Sequence, residues 1–230
     1  MNDIIGIETL KRMEKMGFYN KWLVGKVKDY LSGEILEIGC GIGNITELLV
    51  HYGKVTATDI ERYYIAKTKK RMKGRALIGF GDAEMGIFFF GNKKFDVVIN
   101  FNVLEHINKD DSAIENMAKR LKKGGRLVIV TPSHELLFGS LDENLGHYRR
   151  YEKVEISRKF KDAGLSVKEA KYINWLGALG WFVNSKIFRR KILASKQLGI
   201  FAFISKPFLF FERFISPPFG LSVLIVGEKQ

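Results

Sequence analysis

A group of closely spaced glycines follows a short apolar segment and is the first feature of the sequence that could do chemistry. The segment reads EILEIGCGIGNIT from Glu34 to Thr46, with Gly39, Gly41 and Gly43 at alternate positions. Glycines at the end of a strand let the backbone approach a ligand closely, and a following helix offers unpaired N–H groups. The pattern predicts a turn that binds a nucleotide or another anionic ligand.

A carboxylate just before this turn narrows the choice of ligand. The dinucleotide fingerprint is G-x-G-x-x-G, whereas Asn44 stands where the third glycine would be. Glu37, inside the strand, would repel a pyrophosphate and attract a cationic amino group. The sequence therefore favours a ligand with an amino group and disfavours a nicotinamide dehydrogenase.

Four more motifs follow in order. VTATDI contains Asp59, GDAE occupies residues 81–84, FDVVINFNVLEHI begins at Phe95 and LKKGGRLVIVTPS begins at Leu121. Together with LEIGCGIGNIT, they resemble the motifs of class I S-adenosylmethionine-dependent methyltransferases. The resemblance extends over roughly residues 30–172 and resumes at 221–227. It implies S-adenosylmethionine as the cofactor and methyl transfer as the reaction.

The resemblance also implies roles for individual residues. The acid that closes the second strand, Asp59, is expected to bind the ribose hydroxyls, and Asp82 with the Ala83 backbone is expected to hold the adenine amino group. The expected cofactor contacts are Glu37, Gly39, Cys40, Gly41, Gly43, Asn44, Asp59, Ile60, Asp82, Ala83, Asn100, Phe101 and Val103.

Structural alternatives remain open for several of these positions. The glycines could simply shape a strand–helix turn, Asp59 could be a helix N-cap, and Asp82 could be a turn residue. Cys40 is expected to be a small packed residue, because no basic partner lies near it in sequence. As the single cysteine, it leaves no possibility of an intramolecular disulfide or a cysteine-based zinc site, and we expect no metal site.

Transfer of a methyl group from a sulfonium needs mainly alignment of donor and acceptor, and an oxygen or nitrogen acceptor can also need a general base. His106, His134 and His147 are the candidates, although His106 could instead contact the cofactor or the backbone. The single cysteine excludes a paired-cysteine mechanism on RNA pyrimidines. The sequence has no Asn-Pro-Pro-Tyr signature of adenine or glutamine N-methylation, so O-methylation is favoured.

The segment TPSHELLFGSLDENLGHYRRYEK, residues 131–153, follows the fifth strand. It loosely resembles a segment of class I methyltransferases linked to glycan or lipid-linked sugar assembly. Tyr148, Arg149 and Arg150 are expected to bind an anionic group of the acceptor, since arginine pairs bind phosphate well. The alternative is a solvated basic loop that caps the next helix.

Strands and helices that alternate along the chain must position these residues. Apolar runs predict strands at 34–38, 54–59, 76–80, 95–100, 126–131 and 165–172, and a final strand after residue 220. Apolar residues at helical spacing predict helices at 8–31, 44–51, 62–72, 110–121 and 152–162. We predict a single α/β domain over residues 1–230, with a Rossmann-like, doubly wound, mostly parallel seven-stranded sheet.

An insertion over residues 174–216 interrupts this alternation before the last strand. It contains ten aromatic residues, seven lysines or arginines and a single acid, Glu212. Its longest uncharged run, residues 172–185, is shorter than the roughly 20 residues that span a bilayer. It is predicted to form helices that lie on an anionic membrane or close over the substrate; a lid or dimer face that never meets lipid is the alternative.

The charge limits the classes of partner. The chain of 230 residues carries a formal net charge of +13, which suits nucleic acid, an anionic membrane or a phosphorylated substrate. The N-terminal residues lack the features of a signal peptide, so a cytoplasmic protein is expected, with peripheral contact to the inner face of the membrane left open. The favoured function is methylation of a small or lipid- or glycan-linked acceptor. An RNA methyltransferase and a non-catalytic membrane-surface binding protein are the alternatives, and the oligomeric state is open.

Overall fold

The computed structural model describes residues 4–190, 205–212 and 216–230. Within these ranges the strands are β1 Glu34–Ile38, β2 Lys54–Asp59, β3 Leu77–Asp82, β4 Ile87–Phe88, β5 Phe95–Phe101, β6 Leu121–Pro132, β7 Leu165–Ile173 and β8 Ser222–Lys229. They form one sheet in the order β4-β3-β2-β1-β5-β6-β8-β7. Five neighbouring strands, β3, β2, β1, β5 and β6, are parallel to one another. Strand β8 lies between β6 and β7 and runs antiparallel to both.

The prediction of a doubly wound, mostly parallel sheet is confirmed, but the sheet has eight strands among the described residues instead of seven. The additional strand is β4, which has two residues and pairs antiparallel with β3 through Gly81 and Phe88. Two residues are too few to show a strand period in the sequence.

Helices cover both faces of the sheet. They are α1 Ile4–Lys15, α2 Gly17–Gly25, α3 Thr46–Leu49, α4 Arg62–Met72, α5 Asp110–Lys119, α6 Ser140–Leu145, α7 Lys153–Asp162 and α8 Trp175–Phe182. One core packs side chains of α5 and α7 against β5 and β6, and the other packs α2, α3 and α4 against β1 and β2. The apolar pattern over residues 8–31 corresponds to α1, α2 and a short 3-10 turn, because the helix breaks at Met16.

The glycine turn after β1 packs closely against the loop after β5. Gly39 has a φ of +77°, and a Cβ atom placed on it would lie 2.3 Å from Cγ2 of Val103. The backbone N–H groups of Gly39 and Cys40 donate to the Thr58 carbonyl at 2.8 and 2.9 Å. A glycine is therefore required at position 39 both by its left-handed conformation and by the contact with Val103.

The single acid of the insertion joins the two ends of its described parts. Glu212 is buried, and its carboxylate accepts hydrogen bonds from the backbone N–H groups of Asn174 and Trp175, both at 2.9 Å. Residues 205–211 are helical, and the indole N–H of Trp22 in α2 donates to the Leu209 carbonyl at 3.0 Å. These bonds hold that helix and the start of α8 beside α2. Across residues 4–190, 205–212 and 216–230, the structure has no helix with the length and apolar character needed to cross a bilayer.

Candidate active site

A cavity of about 650 Å³ opens at the edge of the sheet where the parallel strands end. The glycine turn, the ends of β2, β3 and β5, and the loop between β6 and α7 form its walls. Residues of α1, α2 and α8 lie across it from the sheet. Its volume and its position at the carboxyl ends of parallel strands are typical of a small-molecule or cofactor site.

Glu37 places a carboxylate with an unpaired oxygen on this cavity. Its side chain is 3% exposed, and Oε2 has no hydrogen-bond partner in the part of the chain that the structure describes. Burial raises the pKa of Glu37 to about 8, because the charged form loses its hydration. A cation at this position would stabilise the ionised carboxylate.

Two aspartates follow on the neighbouring strands. Oδ2 of Asp59 accepts a hydrogen bond from the Gly41 N–H at 2.9 Å, and Oδ1 accepts one from the Glu61 N–H at 3.0 Å. Burial raises the pKa of Asp59. Asp82 accepts from the Met85 N–H at 3.0 Å. Both acids shape local turns and also line the cavity, so the structural and ligand-binding interpretations are compatible.

A second polar group lies on the same cavity and comprises Glu105, His106 and His147, which we call the EHH cluster. The potential ligand atoms of these three residues all lie within 4.8 Å of one another. Glu105 is fully buried; its Oε2 accepts from the Thr131 hydroxyl at 3.1 Å, whereas Oε1 has no partner among the described residues. The rings of His106 and His147 meet edge to face, with centroids 4.7 Å apart. The cluster could bind an acceptor hydroxyl or a metal ion.

Asp142 fixes the orientation of His147. Its fully buried carboxylate contacts Nδ1 of His147 at 2.9 Å, so Nδ1 carries the proton and Nε2 is the basic nitrogen. The same carboxylate accepts from Nε of Arg150 at 2.9 Å and from the indole N–H of Trp181 at 3.1 Å. Burial alone would raise the pKa of Asp142, but the hydrogen bond from His147 and the charge of Arg150 outweigh burial and lower it. Asp142 therefore remains an anion that joins the loop after β6 to α8.

Most of the predicted site residues line the cavity. They are Glu37, Gly39, Cys40, Gly41, Asn44, Asp59, Ile60, Asp82, Ala83, Phe101, Val103, His106, His147 and Arg150. Cys40 is a packed residue, and burial raises the pKa of its thiol, as expected for a cysteine without a basic partner. The side chain of Asn44 is bound to the Leu10 carbonyl and to Arg71, so any contact with a ligand through its amide would have to share these bonds.

Five predicted residues lie away from the cavity lining, namely Gly43, Asn100, His134, Tyr148 and Arg149. Gly43 faces Thr68 in α4, and Asn100 is fully buried within β5. Nδ1 of His134 lies 3.1 Å from a carboxylate oxygen of Glu152. The roles assigned to these residues from the sequence stay predictions.

The two arginines of the loop are already paired. Arg149 forms an ion pair with Asp110 at 2.9 Å, and Tyr148 beside it is exposed. Arg150 is 3% exposed, pairs with Asp142 and also donates to the Ser133 carbonyl at 3.0 Å. Of the three residues predicted to bind an anionic group, Arg150 is the one on the cavity, and its guanidinium holds Asp142 in place.

Several cavity residues were not predicted as site residues. Asn102 has a φ of +52° and lines the cavity, as do Glu105 and Trp181. Leu10 in α1 packs over the glycine turn, since a Cβ on Gly41 would lie 3.1 Å from its Cδ1. The apolar pattern at 8–31 signalled a helix, but it carried no information on which part of the sheet the helix would cover.

Comparison with known proteins agrees with this geometry. Residues 36–129 match the model of a methyltransferase domain family. The stretch from β1 into β6 is thus similar to a methyltransferase domain. A solved TehB-like S-adenosylmethionine-dependent methyltransferase from Corynebacterium glutamicum is 17% identical, with a TM-score of 0.60 over 98% of each chain.

Other relatives show how far the likeness extends. A ubiquinone biosynthesis O-methyltransferase of Pelagibacter ubique is 32% identical over 43% of this chain and 41% of its own length. The chain spans less than two thirds of the length of such curated relatives. The [4+2]-cyclase SpnF is 14% identical, with a TM-score of 0.60 over 93% of this chain and 81% of its own. The fold alone therefore does not specify methyl transfer.

The residues on the cavity fit S-adenosylmethionine, the cofactor of this domain class. The unpaired oxygen of Glu37 suits the cationic amino group, and the carboxylate of Asp59 suits a ribose diol. Glycines 39 and 41, both with positive φ, carry no side chains that would keep a ligand from the backbone of the turn. When bound, the cofactor supplies a methyl group activated by a positively charged sulfur.

The raised pKa of Glu37 predicts proton release on cofactor binding. At pH 7 a carboxyl group with a pKa of about 8 is mostly protonated, and a bound ammonium favours its ionised form. Binding of S-adenosylmethionine should therefore release a large fraction of a proton, measurable by calorimetry in buffers of different ionisation enthalpy. Glu37→Gln should abolish this release and weaken binding by about 10- to 100-fold, since hydrogen bonds to charged groups are stronger than neutral ones.

Glu34→Gln is the matched control, because Glu34 begins the same strand and pairs with Lys93 at 3.3 Å. It should leave both proton release and affinity unchanged. Equal proton release by wild type and Glu37→Gln would contradict the assignment of Glu37.

Proposed function

We propose that the protein is an S-adenosylmethionine-dependent methyltransferase that methylates an oxygen of its acceptor. The proposal rests on one observation: the residues expected to bind the methyl donor and the EHH cluster line the same cavity. Glu37 and Asp59 would hold the cofactor at one end of this cavity. The EHH cluster would bind the acceptor hydroxyl at the other.

The chemistry is a displacement at carbon. The acceptor oxygen would form a bond to the methyl carbon of the cofactor and lose its proton, and the electrons of the broken carbon–sulfur bond would stay on sulfur. The chain aligns the two partners and handles that proton. Asp142 holds His147 with Nε2 as its basic nitrogen, and Glu105 offers an unpaired oxygen to a hydroxyl.

The relatives support an oxygen acceptor. The Pelagibacter ubique relative is an O-methyltransferase by name, and two imidazoles beside a carboxylate are groups that remove or polarise a hydroxyl proton. A non-catalytic binding protein would have no need for the buried His147–Asp142 pair. RNA remains the alternative acceptor because of the positive net charge.

We further propose that the acceptor is amphiphilic and reaches the cavity from a membrane surface. Gly177, Gly180 and Trp181 in α8 line the cavity, whereas other side chains of the insertion are exposed. We define the aromatic face as the exposed apolar residues of these segments: Leu179, Phe182, Val183, Ile187, Phe188, Phe208, Phe210 and Phe211.

Basic residues border the aromatic face. Lys186, Arg189 and Lys206 are exposed, whereas Glu212 is buried. Aromatic and basic side chains together suit the interface of an anionic bilayer. The proximity of this face to the cavity supports an acceptor whose apolar part stays in lipid.

The O-methyltransferase proposal predicts formation of S-adenosylhomocysteine with a hydroxylated acceptor. Purified protein would be incubated with methyl-labelled S-adenosylmethionine and a panel of phenols, catechols, carboxylic acids, sugars and lipid extracts. His147→Ala should lower kcat by about 100-fold or more, since positioned general bases contribute this much, and should leave cofactor affinity unchanged.

His51→Ala serves as the control, because His51 is exposed in the turn after α3 and does not line the cavity. It should retain full activity. Methylation of nitrogen acceptors or RNA alone, or full activity of His147→Ala on a hydroxyl, would contradict the proposal.

The membrane proposal predicts co-sedimentation with anionic vesicles and much weaker binding to zwitterionic vesicles. Phe188→Ser should reduce vesicle binding several-fold, because its ring is 59% exposed on the aromatic face. Val154→Ser is a matched control, since Val154 is 79% exposed on α7, outside the aromatic face. Equal binding of both variants, or no binding of wild type to anionic vesicles, would refute a lipid-facing role.

A further inference from the structure

We propose that the EHH cluster is a binding site for a divalent transition-metal ion. This inference rests on the proposed function, because it assigns the means by which the cluster binds the acceptor hydroxyl. It stands on three features of the described residues: the mutual proximity of the ligand atoms, the unpaired oxygen of Glu105, and the bond between His147 and Asp142.

The ligand set is one that catalytic metal sites use. Two imidazole nitrogens and one carboxylate oxygen make three protein ligands, which leaves at least one coordination position for water or substrate. Imidazole-rich sets favour Zn²⁺, Fe²⁺, Ni²⁺ or Cu²⁺ over Mg²⁺ and Ca²⁺, which prefer oxygen ligands. His106 is exposed and His147 is partly buried, so the cluster faces the open space of the cavity.

Two of the three proposed metal ligands, His147 and Glu105, already have hydrogen-bond partners that orient them. His147 donates its Nδ1 proton to Asp142 at 2.9 Å, the carboxylate–histidine arrangement that orients metal-binding imidazoles. Glu105 accepts from the Thr131 hydroxyl at 3.1 Å through Oε2, which leaves Oε1 for a ligand bond. Both residues are thus held in orientation before any ion binds.

The charge balance also favours a cation. Asp142 and Arg150 form a buried ion pair at 2.9 Å, and the charge of Arg150 also acts on Glu105 and Glu135, so one guanidinium is shared among three carboxylates. Glu105 is completely buried, and its one described hydrogen-bond partner is a neutral hydroxyl. A buried carboxylate is costly unless it is paired or bound to a metal. A divalent ion between Glu105 and the two histidines would supply that partner.

The ion would act as a Lewis acid on the acceptor and would replace His147 as the group that activates the hydroxyl, because Nε2 of His147 would then be a metal ligand. A hydroxyl bound to it ionises more readily, and the proton passes to water at the cavity mouth. The oxygen lone pair then forms a bond to the methyl carbon, and the carbon–sulfur bond breaks with its electrons left on sulfur. A neutral hydroxyl and a sulfonium thus give an ether or ester, a neutral thioether and one proton, with no oxidant or reductant required.

The test is a titration of EDTA-treated protein with CoCl₂, followed by visible absorption, and with NiCl₂ or ZnCl₂, followed by calorimetry. Wild type should bind one ion per chain in this site. Glu105→Gln, His106→Ala and His147→Ala should each weaken binding at least tenfold and change the cobalt spectrum. His134→Ala should bind as wild type does. The exposed His106 provides a variant that should fold even if Glu105→Gln does not.

Affinity for S-adenosylhomocysteine, measured on every variant, separates this inference from the proposed function. Two results would overturn the metal site and leave the methyltransferase proposal standing, provided that wild type still binds the cofactor. Either wild type binds no ion, or its ion affinity equals that of His106→Ala and His147→Ala. Loss of cofactor binding by wild type would refute the proposed function, whatever the ion titration shows.

Discussion

The contact between Gly39 and Val103 is the constraint on which the site depends. A Cβ at position 39 would lie 2.3 Å from Val103, so the loop after β5 can lie against the turn after β1 only because residue 39 is a glycine. Val103 directly precedes the turn Leu104–His106. This contact therefore places Glu105 and His106 on the same cavity as Glu37, and it joins the parts of the site that we propose for the methyl donor and the acceptor.

Each of these parts of the cavity contains a buried carboxyl group whose ionised form lacks a full set of partners among the described residues. Glu37 and Glu105 are buried carboxylates, each with one oxygen that lacks a partner among the described residues. Burying a charge without full pairing destabilises a folded protein. Such groups are typical of functional sites, where a ligand supplies the missing partner. For Glu37 we propose that this partner is the amino group of the cofactor, and for Glu105 a metal ion.

The sequence predicted those features that are encoded locally. The strand, the glycine turn, Glu37 and Asp59 lie within a short stretch whose pattern signals both structure and ligand. The EHH cluster could not be assembled in the same way, because His147 reaches Glu105 only through the packing of the loop after β6. Arg149 and Arg150 stood out by residue type, but their pairing with Asp110 and Asp142 depends on tertiary contacts. The placement of α1 over the glycine turn likewise follows from packing that a helical pattern does not specify.

Calorimetric titration of the wild-type protein with S-adenosylmethionine, S-adenosylhomocysteine and NAD tests the central claim most directly. The geometry of the glycine turn, Glu37 and Asp59 predicts that the first two ligands bind with one molecule per chain and that NAD does not bind. Binding of NAD, or no binding of S-adenosylmethionine and S-adenosylhomocysteine, would contradict the assignment of the cavity as a methyl-donor site.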